Sequence, residues 1–465
     1  MDSMLWTVPV FWGLEILFLW KDFPEVLKDK HTFFYTLGAA VVGYLWITTE
    51  KCSRASPEIF AEEKHQVQKK VVPKRLRAKR PEGVLFGKQG NSYVRKSITE
   101  DGHVLVLGGS GSGKSSAGVI PTILANPETA IFALDIKGEL SYKATKCTDP
   151  KVMIVNPSNR GSCGYDPLYL LTSDSSSAEI YDTMRLISES LISLPADIKD
   201  PFWKNSARNL LTGLLIYYYK AGRHSFIGLV DEILSKSIKD SVKEIMEQAD
   251  VSSTERKYVI QFSDMAEETL GGIVAEMNNH LALFANDADI RYALRDNPIK
   301  ATPKMLNNGY SIYLAIHEHK LSAYYDFLQL VLNQTFYELE QRPENANPVL
   351  FIIDELPRIL SAGKIERLLD GAKTLRSRKV TLYLIIQSVE ALMSAYSENQ
   401  VMDLISNCLY IMILDATSTK TQKMIIEWAG KYLHRRKAGT VADLNQVLVR
   451  VLKKKILLIQ RILCN

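Results

Sequence analysis

Cysteine is scarce. The five in the chain (Cys52, Cys147, Cys163, Cys408 and Cys464) are odd in number and never spaced as CxxC. That excludes a disulfide scaffold and a zinc ribbon, and it fits a reduced, cytosolic body. Glycine and proline, at 25 and 17 residues, are too few and scattered for collagen or low-complexity disorder. No basic segment precedes the first apolar run, where Asp2 stands instead, so that run lacks the form of a signal peptide. The bulk of the chain also lacks a strong charge of one sign. Residues 51–80 hold ten Lys/Arg against three acids and residues 431–465 nine against one, whereas residues 81–430 hold 35 against 42. The net charge of +5 therefore sits at the ends, and any nucleic-acid contact by the body uses local stripes rather than its overall field.

What is present begins with two apolar runs, Met4 to Trp20, broken only by Glu15, and Thr32 to Thr49, which has no charge. Each is near the minimum length of a membrane-crossing helix. Gly38, Ala39, Ala40 and Gly43 would let the two helices approach closely, and Trp20 and Trp46 fall where indole rings favour the interface. The basic stretch that follows puts this end on the cytoplasmic side by the positive-inside rule; it also suits anionic lipid headgroups or DNA.

Val104–Leu107 is a short apolar run, followed by Gly108-Gly-Ser-Gly-Ser-Gly-Lys114-Ser115 and a helix-compatible stretch. This is GxxxxGK[ST] in the context its chemistry requires. Glycines let successive amides point at phosphate oxygens, and the following helix adds its positive end. Lys114 would reach the β- and γ-phosphates and Ser115 would ligate Mg²⁺. The expected ATP-binding set is Gly108, Gly109, Ser110, Gly111, Ser112, Gly113, Lys114, Ser115 and Ser116. A second apolar run, Val349–Ile353, ends in Asp354-Glu355. Adjacent acids are common on surfaces, but after a buried-type strand and beside a P-loop they suggest Asp354 as a Mg²⁺ support and Glu355 as the base for an attacking water.

Apolar runs at 130–134, 152–155, 311–316, 381–386 and 409–414 predict further strands, alternating with helical patterns in a doubly wound, mainly parallel α/β sheet. Gln387, at the end of one strand, is a candidate γ-phosphate sensor or water-orienting residue, or else a cap. Residues 172–300 change to helical period, with patterning over Ala178–Leu194, Trp203–Leu215, Phe226–Glu247 and Glu268–Phe284. Tyr217-Tyr-Tyr219 suits core packing better than base stacking, and His317-Glu-His319 lacks an identifiable third metal ligand.

Several signatures then fall in one order. After the P-loop come Val119-Ile-Pro121, Leu134-Asp-Ile-Lys-Gly-Glu-Leu140, Asn156-Pro157, Tyr165-Asp-Pro-Leu168, Phe202-Trp203, Asp354-Glu-Leu-Pro357, Ser377-Arg-Lys379 and Ile386-Gln-Ser388. The chain, from the hairpin to about Lys431, resembles the type IV secretion coupling proteins, the TraG/TraD family of conjugation ATPases. The resemblance implies a RecA-like P-loop NTPase with an inserted all-α domain, assembled as a membrane-anchored homo-hexamer. ATP and Mg²⁺ would sit between subunits. The partners would be single-stranded DNA, a relaxase complex, the secretion channel and membrane lipid. It also makes Arg378 the arginine-finger candidate, with Arg376 its rival.

The expected layout is a transmembrane hairpin (1–50), a basic linker (51–81), a split nucleotide-binding domain (82–171 and 301–431), an all-α domain (172–300) and a basic tail (432–465). The expected location is the bacterial cytoplasmic membrane, with the ATPase domain inside. After Lys431 the sequence departs from the family. Val447–Cys464 suits either a basic amphipathic helix for lipid or DNA or, as the favoured reading, a truncated or frame-changed end that leaves the sheet without an edge element. Two further functions stay open: a docking receptor without motor activity, and an FtsK-like translocase.

Overall fold

In a computed structural model, residues 63–64, 72–109, 111–143, 149–194, 200–429 and 432–433 are described. The hairpin, most of the linker, Ser110 and the basic tail after Leu433 lie outside them. No helix among the described residues is long and apolar enough to cross a membrane. The chain divides into two units. In the smaller, β1 (Glu63–Lys64) pairs antiparallel with β14 (Tyr432–Leu433).

The larger unit is built on a seven-stranded sheet. Its strands are β5 (Val104–Leu107), β6 (Ala130–Asp135), β7 (Val152–Val155), β10 (Ser311–Ala315), β11 (Val349–Ile353), β12 (Val380–Ile386) and β13 (Tyr410–Ile413). The spatial order is β13-β5-β12-β11-β6-β10-β7, and every pairing is parallel. Each of the seven runs expected to be strands is one. Parallel strands are covered on both faces, so their side chains are apolar without alternation. In β5, β6, β11 and β12 every residue is buried.

Alternate residues serve two cores. Leu105, Phe132, Phe351 and Leu384 join the core shared with the helical region, while Val106, Ile131, Ile352 and Ile385 pack against Val119 and Ile123 of the helix after the P-loop. Phe351 is sandwiched, with Phe132 at 4.6 Å and Phe336 at 4.9 Å between ring centroids. Each such buried ring contributes roughly 2–3 kcal/mol.

Residues 177–296 are mainly helical. The helix Ser177–Leu191 starts with a capping box of Ser176 and Glu179, and Phe202–Lys220 starts where Asp200 Oδ1 accepts from the Phe202 amide at 3.0 Å. The Phe226–Glu247 pattern is two helices, Phe226–Leu234 and Ile238–Gln248, because Ser237 caps the second. Tyr217, Tyr218 and Tyr219 are buried, with the Tyr217 hydroxyl within hydrogen-bond distance of Glu244 and Gln248 and that of Tyr218 donating to Ser241.

Three features were not anticipated. A three-stranded antiparallel sheet, β2 (Arg77–Ala78), β4 (Ser92–Lys96) and β3 (Val84–Gln89), fastens to the post-P-loop helix through the Leu85 amide on Thr122 Oγ1 (3.1 Å) and paired bonds between Gly83 and Asn126. A parallel pair, β8 (Gly164–Tyr165) and β9 (Lys300–Ala301), brackets the helical region. The helix Tyr325–Glu340 buries Gln329, Asn333 and Gln334 as well as its apolar face, which hides its period.

Candidate nucleotide-binding site

All seven strands run the same way, so their C-terminal ends form one rim, and β12 stands between β5 and β11 there. The loop after β5 begins with the Gly108 amide donating to Ile386 O at 3.1 Å. A Cβ on Gly108 would lie 2.5 Å from Ser112 Oγ and 3.1 Å from Lys114 Cγ, so only glycine leaves the loop its curl. Gly111 and Gly113 hold φ of +75° and +84°, conformations that favour glycine. Gly113 caps the helical turns Lys114–Val119, which run on into Ile120–Leu124. Ser112 Oγ and Lys114 Nζ both donate to Gly109 O, at 2.8 and 2.7 Å, and Ser116 Oγ donates to Gly113 O at 3.4 Å. Burial pulls the Lys114 ammonium below the usual lysine range, and the nearby Glu355, Asp354 and Asp415 charges oppose that shift.

The strand β11 delivers its acids to the same place. Asp354 Oδ2 accepts from Ser115 Oγ at 3.2 Å, across 239 positions of sequence. Its Oδ1 is buried with no hydrogen-bond partner. Burial, reinforced by Glu355, pushes the Asp354 carboxyl up to about 6. Glu355 is buried in the left-handed region at φ 57°, ψ 46°, at the start of the helix Leu356–Ala362. A non-glycine residue there is held at a cost of roughly 1–3 kcal/mol, which the surroundings must impose. Glu355, the candidate base, has its Oε1 paired with the Lys137 ammonium.

Lys137 stands in the turn after β6, the neighbour of β11. Asp135, the last residue of β6, accepts from the Ser141 amide and hydroxyl at 2.8 and 3.0 Å through Oδ2, while its buried Oδ1 has no partner. Asp415 follows β13, on the other side of β5, where a Cβ on Gly109 would meet its Oδ2 at 3.0 Å. The sequence reading assigned no role to Lys137 or Asp415. A signal existed for Asp415, since Asp135, Asp354 and Asp415 each end an apolar strand run. Lys137 was marked only by its place in the signature from Leu134 to Leu140.

Gln387 follows β12 directly and is half-buried, on the rim between the loop and the acid pair. Arg378 is not brought there. It precedes β12, at the opposite edge of the sheet, and its Nη1 donates to Arg342 O at 2.8 Å. The strand between it and the rim spans on the order of 25 Å at 3.3 Å per residue. Arg376 is exposed at the same far edge.

The residues fit a magnesium–nucleotide. The loop is a cradle that a single Cβ would fill, and beside the serine hydroxyl stands a buried carboxylate oxygen without a donor. A hard cation takes such oxygens as ligands. This loop, lysine, serine and acid pair on a parallel sheet define a P-loop nucleotide-binding fold of the RecA-like kind.

Residues 55–447 match the model of the type IV secretory system conjugative DNA transfer family, and the chain belongs to that family. The match begins after the two apolar runs and extends past Lys431, where the sequence reading placed the departure. Among solved structures, the chain is similar to the plasmid coupling protein TrwB. An unbound form is 16% identical with a TM-score of 0.62, covering 78% of this chain and 80% of that one. TrwB in complex with the ATP analogue ADPNP gives 16% identity and a TM-score of 0.61, covering 77% and 81%. The complex with ADP and Mg²⁺ gives 16% and 0.60 over the same shares. At this identity the likeness concerns the fold. No curated protein matches the chain.

Proposed function

We propose that this protein is a membrane-anchored ATP hydrolase that couples a relaxase–DNA complex to a type IV secretion channel and helps pump single-stranded DNA through it. Family membership supports the conjugative setting. The TrwB complexes with ADPNP and with ADP and Mg²⁺ support the choice of ligand. The observation that carries the hydrolytic part is the unpartnered, buried Asp354 Oδ1 beside Ser115. A buried carboxylate oxygen that lacks a donor destabilises the apo fold unless a ligand uses it.

In this mechanism the amides of the loop from Gly108 to Ser116 hold the phosphates, and Lys114 leaves Gly109 O for the β- and γ-oxygens. Ser115 and Asp354 would hold Mg²⁺, which neutralises charge on those oxygens when bound. Glu355 takes a proton from water as it attacks the γ-phosphorus. The bond to the β–γ bridging oxygen breaks, giving ADP and phosphate. Gln387 orients that water or senses the γ-phosphate.

Arg378 lies a strand length from its own rim, so a finger role requires a second copy to present it, as in a homo-hexameric ring with nucleotide between subunits. Residues 1–50 would anchor the ring in the cytoplasmic membrane, with residues 51–81 near lipid headgroups. The test is DNA-stimulated turnover by the full chain. Lys114→Ala and Glu355→Gln should both abolish hydrolysis while Glu355→Gln still binds ATP; normal turnover in both variants would overturn the mechanism.

A further inference from the structure

The acid assigned to water activation is held by a partner that no part of that mechanism uses. The Lys137 ammonium sits on the Glu355 carboxylate, and the two differ in freedom: the lysine side chain is 41% exposed and the glutamate 8%. Glu355 is fixed by its left-handed backbone at a helix start. Lys137 is a four-carbon stem on a turn whose next residue, Gly138, has φ +70°. Of the pair, the lysine is the one able to leave.

Its charge also reaches the rest of the crevice, favouring ionised Asp354 and opposing the charge on Lys114. The rim thus holds two ammonium groups, and each is occupied by a protein acceptor: Lys114 by Gly109 O and Lys137 by Glu355. The Glu355 oxygen that accepts from the ammonium has no room on that side for a water O–H. A γ-phosphoryl group, which a diphosphate does not bring, would compete for both cations.

Resting on the proposed hydrolytic role, we infer that Lys137 is a γ-phosphate-sensing positioning residue. It restrains Glu355 until the third phosphate of a nucleoside triphosphate draws its ammonium away, and only then is the carboxylate free to take the proton of the attacking water. An empty or diphosphate-loaded site stays restrained. The pair joins the turn after β6 to the end of β11, so the device needs no moving domain.

The test is a binding cycle on the full chain with Mg²⁺, using fluorescent ADP and a fluorescent non-hydrolysable ATP analogue as probes. Lys137→Met should weaken the triphosphate about tenfold, or ~1.4 kcal/mol, and leave ADP affinity unchanged, with Lys137→Arg restoring part of the loss. Glu355→Gln releases the ammonium and should tighten the triphosphate, a gain that disappears when Lys137→Met is added. Equal losses for both nucleotides, unchanged discrimination in Lys137→Met, or a Glu355→Gln gain that survives removal of the lysine would each overturn the inference. Should Lys137→Met not fold, Lys137→Gln and the double variant read out the same cycle. Wild-type protein that binds neither probe would instead overturn the nucleotide function itself.

Discussion

The two edges of the parallel sheet are finished in opposite ways. At the edge where β5 and β12 begin, polar groups enter the interior and are satisfied. Buried Lys96 donates to Thr381 Oγ1 at 2.9 Å, to Ser97 O at 3.1 Å and to Glu100 O. Buried His103 contacts Ala372 O through Nε2 at 2.9 Å and accepts the Leu382 amide at Nδ1 at 3.0 Å, which fixes the neutral ring with its proton on Nε2. At the rim where the strands end, Asp135 Oδ1 and Asp354 Oδ1 are buried without partners and Glu355 is strained. The first edge is built for stability. The second keeps bonding capacity in reserve for a ligand, at a cost to the fold. The stable side has two exceptions: Arg342, on the loop before β11, has Nε and Nη1 buried and unpaired, and Lys379, just before β12, holds φ 58°.

The largest expected effect tests the rim. Asp354→Asn should lower turnover at least about a hundredfold, since a charge that supports the transition state is lost. The same change should raise stability at pH 7. The folded carboxyl titrates near 6, above its ordinary 3.8, so its penalty is absent below 3.8 and grows as pH rises through 6. That shift corresponds to roughly 3 kcal/mol. A variant less stable than wild type in denaturant melts would break the contrast.

His103 tests the other edge with the opposite sign. Burial holds it near pKa 4 against an ordinary 6.5. Its contribution is therefore complete above 6.5 and lost as pH falls through 4, by about 3 kcal/mol in all. His103→Gln should flatten the fall in melting temperature over that window; an unchanged pH profile would show that His103 does not set the acid sensitivity of this edge.

A smaller effect belongs to binding. Magnesium–nucleotide affinity should fall by about tenfold per pH unit below 6, as Asp354 takes up a proton. Magnesium-free nucleotide should lack this slope, and titration at pH 7 and 5 distinguishes the two. The smallest lies away from both edges. Ser176→Ala removes the capping box of Ser177–Leu191 and should cost about 1 kcal/mol of stability with nucleotide affinity unchanged.

Much of this was legible in the chain because it rests on local physics. A strand buried on both faces must be apolar throughout, so Val104–Leu107, Val349–Ile353 and the other runs stand out. The loop from Gly108 to Ser115 is legible because its backbone curl demands glycine at fixed spacing. The helix Tyr325–Glu340 was not, since Gln329, Asn333 and Gln334 are buried and Gln334 bonds Tyr165 and Pro167 O. Nor were Lys96 and His103, whose burial is affordable only because distant acceptors meet them.

The sequence by itself determined which segments become strands, which loop can cradle phosphate and which acids end the strands. The tertiary structure decided that β12 lies between β5 and β11, that Asp354 faces Ser115, that Lys137 holds Glu355 and that Arg378 stands at the far edge. The reason is range: backbone conformation and apolar period act over a few residues, whereas pairing of groups 218 or 239 positions apart exists only once the sheet has set its strand order.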